Sequence, residues 1–291
     1  MPAVAGTVRD ALEAACDAFV AAGVEGPRFD AELLLSEAAG IDRARLEADP
    51  GAALDAVAAR RFGAMVRRRV AREPVAYILG RRWFRRIELA VDPRALIPRP
   101  ETEALVEVAL ELRPRSVCDI GTGSGAVALA IADELPDADV VATETSPDAL
   151  ALARENAGRL GLADRIRFEQ QRSTHRRESD RSAIPHPLPA IDLVVANLPY
   201  VSEREWPGLA PEITRYEPRS ALVAGPTGLE AIESVLAAIA AAPVRPAAVA
   251  LEVGAGQAPA VSELFRAAGY RSVSSRPDLA GIERIVVGGD R

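Results

Sequence analysis

Apolar residues recur at helical spacing early in the chain, at Ala11, Leu12, Ala15 and Phe19 and again at Leu33, Leu34 and Leu35, with polar residues on the opposite face. Strand signals are missing over residues 8–70, and Gly23 to Pro27 and Asp49-Pro50-Gly51 break the pattern into about four short helices. A small helical bundle is therefore predicted as a first domain, residues 1–74. The texture then changes. Tyr77, Ile78, Trp83, Phe84, Ile87, Leu89 and Val91 favour strand, and Gly80-Arg81 offers a turn, which predicts a β-hairpin linker over 75–97.

From residue 98 to residue 291 helical and strand patterns alternate. Helices are predicted at 102–112, 127–135, 147–160, 228–242 and 257–268, and apolar strands at 116–120, 140–143, 166–168, 191–196 and 248–253. Repeated strand–helix units imply an α/β domain with a doubly wound, mostly parallel sheet. Two last strands, at 271–275 and 283–287, follow with no helix between them and imply an antiparallel C-terminal hairpin at the sheet edge. Residues 170–189 fit none of this: the stretch is polar, arginine-rich and closes on Pro185, Pro187 and Pro189, as a mobile surface loop would.

Composition narrows the classes. A chain of 291 residues with 49% hydrophobic and 26% charged residues is ordinary for a globular protein long enough to bury a sizeable core. No apolar run reaches the ~18–20 residues of a membrane span, and no basic region precedes an apolar block at the start, so a cytoplasmic protein without a membrane partner is expected. The net charge of −7 argues against binding nucleic acid through the protein's own field. Every strongly basic residue is arginine. Clusters such as Arg67-Arg68-Arg69 thus reflect composition, and a solvated helix face is expected for this one. Cys16 and Cys118 are too few for a disulfide framework or a zinc site, and His175 and His186 have no partners at metal-ligand spacing, so no metal is expected. Trp83 and Trp206 are expected in the core or a pocket wall.

Chemistry concentrates at three strand ends. Asp119-Ile120-Gly121-Thr122-Gly123-Ser124-Gly125 closes a strand and opens a helix, where glycines let backbone approach a nucleotide-like ligand. The motif is ambiguous: Gly121, Gly123 and Ala126 also satisfy a dehydrogenase pattern. Glu144, roughly 20 residues on at the end of the next strand, can accept the ribose hydroxyls of either cofactor. Asn197-Leu198-Pro199-Tyr200 separates the two, because it follows the apolar strand and suits a planar nitrogen acceptor. An amide nitrogen is a poor nucleophile, its lone pair being delocalised into the carbonyl. A site that methylates it must accept both N–H hydrogens and leave the lone pair facing the methyl donor. The Asn197 side-chain carbonyl and the Leu198 backbone carbonyl are two such acceptors on adjacent residues. Pro199 stiffens the turn and biases Leu198 to an extended conformation, and Tyr200 offers a flat face for stacking.

On these residues the sequence resembles the release-factor glutamine methyltransferases, the protein-(glutamine-N5) group also called PrmC or HemK. The resemblance runs nearly end to end through Pro98-Arg99-Pro100-Glu101-Thr102-Glu103, the Asp119 and Asn197 motifs, Tyr216-Glu217-Pro218, Leu251-Glu252-Val253-Gly254 and the segment from Asp278 to Arg284. It implies a Rossmann-like class I methyltransferase domain using S-adenosylmethionine, preceded by helices that dock the protein substrate. The implied reaction methylates the glutamine of the Gly-Gly-Gln motif of peptide-chain release factors, by a monomer with no direct nucleic-acid readout. By the same resemblance Asp119, Gly121, Thr122, Gly123, Ser124, Gly125, Glu144 and Asn197 hold the cofactor, Asn197, Leu198, Pro199 and Tyr200 perform catalysis, and these four with Arg99 and Glu101 bind substrate. The chain departs from the family at three places. Leu198 stands for a proline, Glu144 for an aspartate, and Gln170-Gln171-Arg172-Ser173 occupies the place of an acidic adenine contact, for which Gln171 or Asp180 is a substitute. Rival readings are methylation of a ribosomal-protein glutamine, exocyclic-amine methylation of adenine in DNA or RNA, and binding of cofactor or partner without turnover.

Overall fold

The computed structural model describes residues 6–171 and 191–290. Most of the polar stretch at 170–189, with His175, Asp180 and His186, lies outside the described residues.

The chain forms two compact units. The first, residues 1–80 with 210–216, is helical: α1 (Val8–Ala21), α2 (Pro27–Ala39), α3 (Arg43–Ala48), α4 (Ala56–Val70) and α5 (Val75–Leu79). Local chemistry sets the helix ends. Thr7 and Asp10 form a reciprocal capping box on α1, Asp42 and Asp55 cap α3 and α4, and Pro27 opens α2. Leu12, Phe19, Leu34, Leu35 and Phe62 fill the core between them. The stretch 75–79 is thus helical where a hairpin is predicted, and Gly80 ends that helix at a φ of 71° instead of turning a hairpin.

Arg69 corrects a second expectation. It lies two residues from Arg67, so the helix turns it to the opposite side, where it is buried and ion-paired with Asp30 and with Glu212, both at 2.7 Å. Arg68 pairs with Glu73 at 2.6 Å. Glu212 also takes Arg72 at 2.6 Å, and it belongs to a helix far along the chain, Pro211–Tyr216, which is part of this unit. Burial alone would raise the Glu212 carboxyl, but bonds from Arg72 and Arg69 outweigh it and hold the group at about 2. The Tyr216 hydroxyl donates to the Ala71 carbonyl at 2.8 Å.

The second unit carries the sheet. It begins with a hairpin, β1 (Arg81–Phe84) and β2 (Ile87–Ala90), that turns at Arg85-Arg86, with Arg85 at a φ of 49°. Alternation along β1 buries Phe84 and leaves Trp83 63% exposed, so Trp83 is neither core nor pocket wall. There follow α6 (Glu103–Leu112), β3 (Ser116–Ile120), α7 (Ala126–Glu134), β4 (Asp139–Glu144), α8 (Pro147–Arg159), β5 (Ile166–Gln170), β6 (Leu193–Ala196) and the short strand β7 (Val201–Ser202). After α9 (Pro211–Tyr216), already placed in the first unit, come β8 (Val223–Gly225), α10 (Glu230–Ala241), β9 (Ala248–Glu252), α11 (Ala258–Ala267), β10 (Ser272–Pro277) and β11 (Glu283–Gly289).

Seven strands form one sheet in the order β5-β4-β3-β6-β9-β11-β10. The first five are mutually parallel, β11 runs antiparallel to β9, and β10 runs antiparallel to β11. Central strands read as unbroken apolar runs, such as Leu193 to Ala196, because both sheet faces are covered. α10 and α11 bury Ile232, Val235, Leu236, Ile239, Val261 and Phe265 in one cluster with residues of β6 and β9, each side chain contributing about 1.5–3 kcal/mol. The chain winds outward from β3 to β5 and then returns to the other side of β3 with β6. That reversal opens a crevice at the carboxyl ends of β3 and β6.

Candidate active site

A cavity of about 470 Å³ lies at this reversal, within the second unit. Its wall includes Gly121 to Ser124 after β3, Glu144 at the end of β4, Asn197 to Pro199 after β6, and Arg99 and Thr102 before α6. Elements widely spaced in sequence therefore meet because each follows the carboxyl end of a neighbouring strand or packs beside one.

The glycine loop is held from below. The Thr143 carbonyl accepts the N–H groups of Gly121 and Thr122, both at 2.9 Å. Asp119 is buried, and its Oδ2 accepts from the Thr122 hydroxyl at 2.6 Å and the Ala128 N–H at 3.2 Å. Burial pushes its carboxyl up to about 7 against those two bonds, with the Glu144 charge adding to the rise. The side chain thus braces the turn. Gly123 takes a φ of 57° with open space where a Cβ would stand, so the backbone itself faces the cavity. Glu144 Oε2 accepts from the Gly123 N–H at 3.0 Å and Oε1 from Thr145 and Ser146 N–H groups at 2.8 and 2.9 Å. The carboxylate is fixed at the cavity wall with lone pairs to spare. Gln171 also lines the cavity, and its backbone N–H donates to the Glu144 carbonyl at 2.8 Å.

Asn197 donates from Nδ2 to the Thr102 hydroxyl oxygen at 3.0 Å. Leu198 is buried in the core cluster shared with β9 and α10 and also lines the cavity. Tyr200 lies outside the cavity lining, against Gly254, where a Cβ would come within 3.2 Å of its ring. Burial first, then the charge of Glu252, pushes its phenol up to about 12. Arg99 lines the cavity and is ion-paired with the buried Glu217, whose other oxygen accepts the Ile97 N–H at 3.1 Å. Glu101 is exposed and is not part of the lining.

Three further groups build this site, and two of them, Thr102 and Glu252, lie in segments that carry the family resemblance. Asn156 on α8 donates to the Ser124 carbonyl at 2.9 Å and bonds both backbone groups of Ala90, tying the hairpin to the glycine loop. The Thr102 hydroxyl accepts from Asn197 Nδ2, and the buried Glu252 closes β9. Thr102 falls in the segment from Pro98 to Glu103 and Glu252 is an acid closing an otherwise apolar strand, whereas Asn156 leaves no signal in the sequence.

A doubly wound sheet ending in an antiparallel pair, with a glycine turn and an Asn-Leu-Pro-Tyr turn facing one crevice, defines a class I methyltransferase, whose methyl donor is S-adenosylmethionine. Solved structures agree on the fold: the hMettl16 catalytic domain in complex with MAT2A 3′UTR hairpin 6 superposes with a TM-score of 0.57 over 70% of this chain and 75% of that one, at 15% identity. Residues 10–80 match the model of the PrmC N-terminal domain and residues 117–216 that of a methyltransferase domain. Relatives named release factor glutamine methyltransferase include that of Cereibacter sphaeroides, 42% identical over 95% of this chain and 96% of the relative, and that of Moorella thermoacetica, 43% identical over 96% of each. The chain belongs to the release factor glutamine methyltransferase family. Among the described residues no group of side chains could hold a metal ion and no helix is long and apolar enough to cross a membrane.

Proposed function

We propose that this protein transfers the methyl group of S-adenosylmethionine to the side-chain amide nitrogen of the glutamine in the Gly-Gly-Gln motif of peptide-chain release factors, acting as a cytoplasmic monomer. The observation that carries the reading is the placement of Asn197, Leu198 and Pro199 on the same cavity as Gly121 to Ser124 and Glu144. The open backbone at Gly123 and Glu144, whose lone pairs suit a ribose diol, form the cofactor's cradle. When bound there, S-adenosylmethionine supplies an electrophilic methyl group on a sulfonium. Asn197 Oδ1 and the Leu198 carbonyl accept the two N–H hydrogens of the glutamine and fix its amide plane. Alignment is the main requirement, since a nitrogen held in line with its reaction partner gains an effective molarity on the order of 10⁵ M or more. Leucine serves at 198 as a proline would, because the working group is backbone. Arg99, anchored by Glu217, is positioned for the substrate, and the helical unit docks the release factor. The net charge of −7 favours a protein substrate over nucleic acid.

The test is transfer of label from methyl-labelled cofactor, with purified release factor, its Gln→Ala variant, ribosomal proteins and DNA offered separately. Label on the unaltered release factor alone is expected. Equal labelling of the Gln→Ala protein, or label on DNA, would overturn the reading.

A further inference from the structure

A glutamine at the amino end of α11 holds the exit of the Asn-Leu-Pro-Tyr turn. Gln257 is the N-cap of that helix. Its backbone N–H donates to the Gly254 carbonyl at 3.1 Å and its carbonyl accepts the Val261 N–H at 3.0 Å, so the root of the side chain is fixed. The half-buried amide then reaches backbone groups of three separate segments. Nε2 donates to the Tyr200 carbonyl at 3.0 Å and to the Gly228 carbonyl at 3.4 Å, and Oε1 accepts the Gly254 N–H at 2.8 Å. Tyr200 ends the turn after β6, Gly228 leads into α10 and Gly254 follows β9.

Two of these partners are shaped around the contact. At Gly228, with a φ of 85°, a Cβ would stand 2.6 Å from the Tyr200 carbonyl oxygen and 3.0 Å from Gln257 Nε2. At Gly254 a Cβ would stand 2.9 Å from Gln257 Oε1 and 3.2 Å from the Tyr200 ring. A side chain at either place would push Tyr200 and Gln257 apart. The polarity is equally exact. All three partners are backbone groups, whose donor or acceptor character cannot change. Two carbonyls and one N–H require two donors and one acceptor, which a side-chain amide supplies and a carboxylate or a thioether does not.

The turn enters from β6, which is paired with β3 and β9 on its two sides as far as Ala196. Asn197 and Leu198 therefore lie between an entrance held by the sheet and an exit held by Gln257. We infer that Gln257 is a positioning residue for methyl transfer: by pinning the Tyr200 carbonyl it fixes the backbone of residues 197–200, and with it the two acceptors that orient the glutamine amide. This rests on the reading of Asn197 and Leu198 as those acceptors. Gln257, Gly228 and Tyr200 are all absent from the cavity lining, so the effect is carried by the turn. It falls on alignment, where a displacement of about 1 Å can cost on the order of 100-fold in rate.

The test compares the full-length wild-type enzyme with Gln257→Met, Gln257→Glu, Gly228→Ala and the double variant Gln257→Met/Gly228→Ala, using release factor and S-adenosylmethionine. Measured are kcat, KM for release factor, cofactor Kd by calorimetry, and fold by circular dichroism. Gln257→Met keeps the length of the side chain without its hydrogen bonds and is expected to lose at least about tenfold in kcat, with cofactor Kd and KM within about threefold of wild type. Gln257→Glu should be slower still, because it sets an acceptor against two carbonyls. Gly228→Ala breaks the same contact from the other side, so the double variant should be no more than about twofold slower than the slower single variant. A wild-type kcat in Gln257→Met overturns the inference, as do a Gln257→Glu enzyme as fast as Gln257→Met, since space-filling alone would then explain the effect, and losses that multiply in the double variant. Should Gln257→Met fail to fold, Gln257→Glu and Gly228→Ala decide: a kcat loss with cofactor affinity kept supports the role, and a wild-type kcat in either overturns it. Failure of the wild-type enzyme to label release factor would instead overturn the proposed function, so the two failures are separable.

Discussion

Gly123 and Gly125 sit two residues apart in one loop with φ values of 57° and 86°, yet an alanine at each is expected to fail differently. Left-handed backbone costs a non-glycine residue about 1–2 kcal/mol at either place. At Gly125 the new Cβ would stand 2.8 Å from Leu129 Cδ1 and 3.2 Å from Ala153 Cβ, and both neighbours are fully buried. Overpacking a closed site adds about 1–3 kcal/mol, for a total near ~3 kcal/mol or more. At Gly123 nothing lies within 4 Å, so only the backbone term applies, but the methyl group enters the cavity. With roughly 2–4 °C lost per kcal/mol, Gly125→Ala should melt roughly 10 °C below wild type and Gly123→Ala roughly 4 °C below. Cofactor affinity should order the other way, with a loss of about tenfold or more, some 1.4 kcal/mol, at Gly123. Thermal unfolding without cofactor and calorimetric titration of S-adenosylmethionine measure the two effects separately. Equal melting temperatures for the two variants would refute the packing argument. Unweakened cofactor binding by Gly123→Ala would refute the placement of the cradle.

Asn197→Ala should abolish turnover, by about 100-fold or more for a lost transition-state contact, while calorimetry finds cofactor affinity largely intact. Loss of cofactor binding with it would show that Asn197 serves the cofactor instead. Leu198→Pro keeps the backbone carbonyl, so kcat should change only modestly, but it removes a buried side chain and should cost about 1–3 kcal/mol in denaturant unfolding. Glu252 supplies a pH test. Burial holds its carboxyl protonated up to about 7 in the fold, against 4.5 in the unfolded chain. Between these values the unfolded chain binds fewer protons, so stability falls as pH rises through the window, by about 3 kcal/mol once complete. Relative to wild type, Glu252→Gln should therefore melt higher at pH 8 than at pH 5. A pH-independent difference between the two proteins would show that the carboxyl does not titrate in this range.

Much of this protein is legible along the chain. Apolar runs such as Leu193 to Ala196 and Ala248 to Leu251 announce buried parallel strands, since both faces of such a strand must leave water. The glycine turn and the Asn-Leu-Pro-Tyr turn are readable because their chemistry is local: a backbone that needs positive φ, and two acceptors on adjacent residues. Helix caps at Thr7, Asp42 and Asp55 are local for the same reason.

What the sequence left hidden depends on partners far away. Strand preference over 75–79 gives way to a helix that packs Ile78 into the bundle core, and Trp83 faces solvent because the pleat gives the inner side to Phe84. Arg69 looks like part of a basic run until α9, about 140 residues on, brings Glu212 to it. Thr102 and Asn156 are ordinary residues in ordinary elements, and only tertiary packing places Thr102 against Asn197 across 95 residues and Asn156 against Ala90 across 66. Periodicity and local motifs report which face of an element is buried. Which side chains meet across the crevice is set by which strand lies beside which, and that order is decided when the sheet closes.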